Sequence, residues 1–434
     1  MKHKLIISFA ALLLGIQHLV AQESRTITLK EAIDLTLNYS KTLQLDKVKM
    51  EEAAAAIKEA YQKKQPDASI SATFLYFPLQ PNIDLKSGSN SGGTPAANVL
   101  MYSTANISLP VYTGGRLKYG IESAKYLEQA VKLDVENDRQ LVILNVVNAC
   151  INLYKAQVAI TLMKENLQQS LQRVKDFTNL EKNGLLPRND LMKAELQSSN
   201  IELALLDAES NYKIAAVNMN LMMGLPEQTL LIPDRTGLAL PTSIKTLDEY
   251  EQAALKERKE IGAASSRKNA AVIGVKNAKS NYYPTIALTG GYIAADIPKV
   301  LSITNAVNVG MGVKYNLASL WKTKTSINQA TLKVRQLELG EALLNDNIRM
   351  QVNQAYQYYL VSEKKIQVYE KAVLQATENY RVTKNKYENS LATTTELLDA
   401  DVALLQTKLS VTNSKADSFL AYNKLLQVTG ALNY

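Results

Sequence analysis

Apolar residues recur at steps of three and four over unusually long stretches of the chain. Leu141, Leu144, Val147, Ile151, Tyr154, Val158 and Leu162 form one such series. Ile348, Val352, Ala355, Tyr359, Ser362, Ile366, Tyr369, Val373, Ala376 and Tyr380 form another, with one polar lapse at Ser362. Alternating steps of three and four make the seam along which helices pack side by side. Neither residues 117–181 nor residues 323–388 contain proline, and Gly120 and Gly340 are their only glycines. Some 65 helical residues rising about 1.5 Å each would run roughly 100 Å. Helices of that length must lie along one another as a bundle, a filament or the wall of a tube.

Between the helical stretches the period changes to two. Ile70, Ala72, Phe74 and Tyr76 alternate with Ser69, Ser71, Thr73 and Leu75, and similar alternation runs through Met101, Ala105, Ile107 and Leu109, through Ile286, Leu288 and Tyr292, and through Val307, Val309, Met311, Val313 and Tyr315. The pattern predicts strands near residues 68–77, 98–110, 285–295 and 303–317, each with one apolar face and one of Ser, Thr, Asn and Gly. Alternation of this kind over roughly ten residues is also that of a strand in an outer-membrane barrel.

The chain repeats itself. Leu191-Met192-Lys193-Ala194 corresponds to Leu397-Leu398-Asp399-Ala400 at an offset of 206, whereas Leu29-Lys30-Glu31 corresponds to Leu247-Asp248-Glu249, and Pro66 to Pro284, at 218. The difference of 12 residues must be extra length in the first repeat between its proline and its tip, and residues 78–98, rich in Pro, Gly, Ser and Asn, are the expected place. Each repeat reads as helix, strand, loop, strand, long helix, turn, helix. The organisation expected is a signal peptide at 1–22, a first repeat at 23–237 and a second at 238–434, with residues 225–245 and their prolines Pro226, Pro233 and Pro241 as linker.

Composition narrows the chemistry. Lys2 and Lys4, the apolar run 5–14 and the small-residue end Val20-Ala21 have the order of a secretory signal. Both histidines of the sequence, His3 and His18, lie inside that segment, so the exported chain would hold none, which removes imidazole catalysis and imidazole metal sites. Cys150 is the only cysteine and sits among apolar helical residues as a packing group. Losing Lys2 and Lys4 lowers the net charge from +8 to +6. The charge is dispersed without arginine or aromatic clusters, so no nucleic-acid partner is indicated. No apolar run of about 18 residues follows the signal, and a membrane-spanning form would have to use strands. No catalytic, cofactor or metal constellation is visible. Tyr356, Tyr358, Tyr359 and Tyr369 are read as seam and surface packing, and Glu51, Glu52, Asp399 and Asp401 as groups on solvated faces.

Leu109-Pro110-Val111-Tyr112-Thr113-Gly114-Gly115-Arg116, with the tip segments from Asn183-Gly184-Leu185 to Ala194 and from Asn389-Ser390-Leu391 to Ala400, resembles the TolC family of outer-membrane efflux proteins along nearly the whole chain after the signal. The departures are Ala318-Ser319-Leu320-Trp321-Lys322, which lacks the glycine pair, and Ser390 in place of a tip glycine. Four strands per chain are too few for a lipid-exposed barrel, so an oligomer must close the sheet. The resemblance implies three copies: a mainly α chain with a membrane β-barrel portion, twelve strands in the trimer, continued by a long coiled-coil α-helical barrel in the periplasm. It further implies a passive exit duct, without cofactor, that serves a periplasmic adaptor and an inner-membrane transporter in efflux or type I secretion. Its gate would fall on Asp190, Tyr387, Glu396 and Asp399, with Ala392 where the family has an arginine, and its adaptor-docking tips on Gly184, Leu185, Leu186, Ser390 and Leu391. Two alternatives stand beside this. Asp190 and Glu396 also suit helix N-termini, and Thr393 with Glu396 reads as a capping box. A periplasmic coiled-coil scaffold without a pore would explain the helices and the repeat, but not the apolar strand faces.

Overall fold

The computed structural model describes residues 24–79, 98–234, 240–241, 243–298 and 301–434. The segment expected to be a signal, most of the 78–98 insertion and part of the expected linker lie outside these residues. The first half runs β1 (Ser24–Ile27), α1 (Leu29–Tyr39), α2 (Lys41–Gln62), β2 (Asp67–Tyr76), β3 (Val99–Tyr112), α3 (Arg116–Lys182), α4 (Arg188–Met223) and β4 (Leu230–Pro233). The second runs α5 (Leu247–Glu257), α6 (Lys259–Lys279), β5 (Thr285–Ile297), β6 (Leu301–Lys314), α7 (Ser319–Glu388) and α8 (Thr394–Val428). Helix α3 has 67 residues and α7 has 70, each unbroken.

Element boundaries keep the sequence offsets and refine them. Asp67 and Thr285, which open β2 and β5, are 218 apart, but Val99 and Leu301, which open β3 and β6, are 202 apart. The first hairpin is therefore 16 residues longer. The second half recovers 4 of these before the tip, because α7 is 3 residues longer than α3 and its junction is 1 longer. Local chemistry repeats as well. Thr28 and Thr246 cap α1 and α5 by accepting from the amides of Glu31 and Glu249, and Thr246 completes a capping box.

The glycine pair before α3 is required by geometry. Gly114 and Gly115 have φ of 64° and 88°, and a Cβ on Gly114 would come within 2.7 Å of Ser280 O and Tyr283 Cβ. In the second half Asn316 takes over this corner, its Oδ1 accepting from Ala318 N at 3.1 Å.

β2, β3, β5 and β6 form one antiparallel sheet in that order. Residues directly opposite in antiparallel pairs share a face. Ile107, Gly290 and Val309 make one transverse row and Ala105, Tyr292 and Val307 the next, with Ile70 opposite Ala105 and Phe74 opposite Met101. This face is apolar and exposed, Val309 at 89% and Ile70 at 87%. The opposite face carries Ser108–Thr289–Gly310 and Asn106–Gly291–Asn308, and Ser71 and Thr104 join their hydroxyls at 2.8 Å. Large apolar residues there include Leu75, Tyr102 and Ile293, towards the loop ends of the strands.

The chain divides into two compact units. One holds residues 47–134 and 260–344, and the other residues 1–46, 135–259 and 345–434. The main core belongs to the second, where Ile33, Val146, Ile151, Leu153, Met219, Met223, Leu231 and Phe419 are buried together. The parallel pair β1 and β4 lies in that unit, with Tyr212 Oη donating to Leu231 O. The seam read for α7 is buried or half-buried at all of its positions, and Ser362 is satisfied by Tyr359 O at 2.6 Å and Ser418 Oγ at 3.0 Å. The seam read for α3 needs correction. Leu141 is exposed, and the stripe is wider, pairing Val142 with Ile143 and Val146 with Val147, because this helix packs against β1, α1, α4 and α8 together. That stripe also gives α3 an 18-residue window of mean hydropathy 1.3, apolar enough by composition to cross a membrane and 39% buried here. Asn145, Asn148 and Asn152 interrupt the most apolar part of α3, so it is not the unbroken apolar run whose absence the sequence indicates.

Candidate functional site

Both helical hairpins end in the same turn. Gly184 N–H donates to Glu181 O at 2.9 Å and Leu185 N–H to Leu180 O at 2.8 Å; in the second hairpin Ser390 donates to Tyr387 O at 2.9 Å and Leu391 to Lys386 O at 2.8 Å. This is the Schellman pattern, which needs a left-handed residue after the helix. Gly184 supplies φ of 71° and Ser390 supplies 61°. Leu185 and Leu391 project into solvent, 73% and 76% exposed. Leu186 is half-buried and Thr394 fully buried, so the exposed tip is narrower than the sequence segments.

Behind the turns Phe177, Leu191, Ala194 and Leu397 are buried together, with Leu186, Tyr380 and Tyr387 packed on them. This cluster joins the two hairpins. Tyr387 stacks on Phe177 with ring centroids 5.7 Å apart. Asp190 stands in the first turn of α4 and accepts from Lys193 Nζ at 3.3 Å, while Lys193 also reaches Thr395 Oγ1 at 3.1 Å. Within one chain, therefore, the structure brings Asp190 and Tyr387 to the same end of the hairpins without a hydrogen bond between them.

Glu396 completes a capping box. Its carboxylate accepts from Thr393 N at 2.7 Å, and Thr393 Oγ1 accepts from Glu396 N at 3.3 Å. The backbone hydrogen bond from Thr393, followed by its hydroxyl, holds this carboxyl below the ordinary range. A depressed folded value means that the cap contributes fully at neutral pH and loses its contribution as pH falls through that lowered value. Asp399, three residues on, is exposed and makes no ion pair among the described residues.

Asp401 corrects the solvated-face reading. It is buried, with its carboxylate 2.9 Å from Arg173 Nη1, and Arg173 Nη2 donates to Tyr380 Oη at 3.4 Å. Glu51, Glu52 and Asp399 are exposed as expected. A signal for Asp401 was present: Thr394, Leu397, Leu398 and Asp401 follow a 0, 3, 4, 7 spacing, so Asp401 shares the inward stripe of α8. Arg173 lies outside the seam steps of α3 and had no such signal.

Among the described residues no group of three metal-ligating side chains is found. Cys150 packs against Val147, Ile151 and Phe419, and burial pushes its thiol up to about 12, far from a reactive thiolate. Tyr359 is fully buried and meets Tyr422 at 5.6 Å, Tyr356 meets Tyr250 at 6.2 Å, and Tyr358 is exposed.

No curated protein sequence matches the chain. Its fold is shared with solved outer-membrane channels. VceC of Vibrio cholerae is similar at 16% identity and a TM-score of 0.74, covering 93% of this chain and 96% of that one. The Campylobacter jejuni CmeC outer membrane channel gives 16% and 0.76 over 93% and 86%. The open state of the Neisseria gonorrhoeae MtrE outer membrane channel gives 18% and 0.70 over 93% and 89%. A family model described as outer membrane efflux protein matches residues 33–225 and 251–431, one stretch in each half and most of the chain. The chain thus belongs to the outer membrane efflux protein family, whose members are channels and not enzymes, and its place is the cell outer membrane, extending into the periplasm.

Proposed function

We propose that three copies of this chain close their sheets into a twelve-stranded barrel, continued by α3, α4, α7 and α8 as a tunnel, and that the assembly is the exit duct of a tripartite efflux or type I secretion system. Residues 1–22 are read as the export signal, and 23–237 and 238–434 as the two repeats. The observation that carries this is the sheet, one face of which is apolar and exposed while the other carries Ser, Thr, Asn and Gly along its middle rows. In water that arrangement would be a liability; in lipid it is required. β2 and β6 each keep one unpaired edge, and lipid tolerates no open edge, which favours closure by further copies. Tyr112, Tyr283, Tyr315 and Trp321, all exposed where strands meet helices, suit the aromatic girdle of a membrane interface. A pore-free scaffold offers no reason for this face.

The test is a charge scan of the two faces. Val309→Asp and Ile107→Asp should each cost a few kcal/mol and abolish trimer recovery from the outer-membrane fraction, with Asn308→Asp and Ser108→Asp tolerated. Equal tolerance on both faces would remove the barrel.

The partners inferred are a periplasmic adaptor, docking at the tips around Gly184, Leu185, Leu186, Ser390 and Leu391, and an inner-membrane transporter beyond it. Leu185 and Leu391 are the side chains free to make the contact. Photo-crosslinkers at these two positions should capture the adaptor, and capture only from a mid-helix position such as Gln157 would refute tip docking. Asp190, Tyr387, Glu396 and Asp399 are read as the gate, with Asp399 its freest carboxylate.

A further inference from the structure

Where the strands give way to helices in the unit formed by residues 47–134 and 260–344, a cavity of about 510 Å³ opens between the starts of α3 and α7 and the ends of β5 and β6. Three cations line it: Arg116 from the first residue of α3, Lys314 from the last of β6, and Lys322 from the first turn of α7. None of the three has an ion-pair partner among the described residues, and no carboxylate lines the cavity. Two other cations of the unit do have such partners, Arg267 in Asp134 and Lys268 in Glu341. Uncompensated like charges around one cavity repel each other, and a fixed anion would relieve that repulsion.

A second observation points the same way. Ser319, 7% exposed, borders the cavity with its Oγ buried and without any hydrogen-bond partner. A buried hydroxyl left unpaired is unfavourable, and an oxyanion drawn into this cavity would give it an acceptor. Asn316 and Thr323 add polar atoms to the same wall, and the positive end of the α7 dipole adds to the field.

The surroundings decide which anion. Leu317, Leu320 and Trp321, interleaved with the lining residues on the same turn, are all exposed and apolar. A free phosphate would make no use of them. A phosphate that carries acyl chains would bury them while its head lies among the cations. We propose that this cavity is a binding site for an anionic glycerophospholipid at the periplasmic surface of the membrane, holding the headgroup phosphate among Arg116, Lys314, Lys322 and Ser319, with the chains along Leu317, Leu320 and Trp321. This rests on the sheet being the membrane-spanning part of the protein.

Trp321 is the only tryptophan in the sequence and stands beside Lys322, which makes it a built-in reporter. The full chain, reconstituted in nanodiscs of zwitterionic lipid, is titrated with brominated phosphatidylglycerol or brominated phosphatidylcholine, and Trp321 quenching is followed. The expected result is a preference for the anionic lipid on the order of tenfold. Arg116→Gln/Lys314→Gln/Lys322→Gln should bring it close to one, while the same charge change in Lys175→Gln/Lys182→Gln/Lys386→Gln leaves it intact. Equal quenching by both lipids in the unsubstituted protein overturns the site and leaves the barrel standing. Displacement of the anionic lipid by millimolar inorganic phosphate overturns the lipid as occupant. Absence of quenching by either lipid overturns the membrane-spanning sheet, and the site with it.

Discussion

Ser390 takes φ of 61° at the turn position where Gly184 takes 71°. The left-handed region costs an L side chain about 1 kcal/mol or more, a cost that glycine avoids. Both turns close with the same pair of hydrogen bonds, so the helix ends themselves dictate the conformation and serine submits to it. Ser390→Gly should therefore stabilise the second tip by about 1 kcal/mol, read as roughly fivefold slower hydrogen exchange at the amides of Ser390 and Leu391. Gly184→Ala should shift the first tip by a similar amount in the opposite direction, although open space surrounds the position of its Cβ. The resemblance exposed this substitution in the sequence; that the backbone would hold the same turn regardless could be seen only from the carbonyls it bonds.

Among elements, the buried pair of Arg173 and Asp401 ties α3 to α8 and is far from the exposed ion pairs that decorate the helices. Removing one partner of a buried pair strands the other charge. Asp401→Ala should cost about 3–5 kcal/mol in chemical unfolding, whereas Arg173→Met with Asp401→Leu should recover most of that loss. An Asp401→Ala variant as stable as the parent would show that water reaches the guanidinium. The helices, their seams and the four strands were legible because each obeys a single period: every seam position of α7, from Ile348 to Tyr380, faces inward. The α3 seam was misplaced because that helix touches neighbours on several sides, so its burial no longer follows one stripe. The hairpin insertion was located but undersized at 12 residues, since the longer α7 and its junction hide 4 of the 16 from a net offset. Asp401 escaped because a carboxylate in a helix reads as solvated until its arginine, 228 positions away, is seen beside it.

At the scale of the whole molecule, any exposed charge near the tips would be multiplied by the symmetry of the proposed trimer. Glu396 and Asp399 are three residues apart on one face of α8 and both exposed, so three copies would set six carboxylates around one axis. Glu396 is committed to Thr393 through its cap, which leaves Asp399 as the freer group. In planar bilayers the channel should be cation-selective and blocked by trivalent cations from the periplasmic side, and Glu396→Ala with Asp399→Ala should abolish the block without loss of trimer. Unchanged block in the double variant would reduce the two residues to capping and surface roles. The small parallel pair of β1 and β4 sets a different kind of limit. Ser24–Ile27 pairs with Leu230–Pro233 across 206 positions, and Ile27 and Leu231 are buried in the same core. A chain made from its amino end completes β1 first and then waits for more than two hundred further residues before that strand has a partner, a long-range closure of the slow kind. That early strand thus has no partner until about half of the chain is made, and until then its apolar side chains depend on whatever holds the nascent chain.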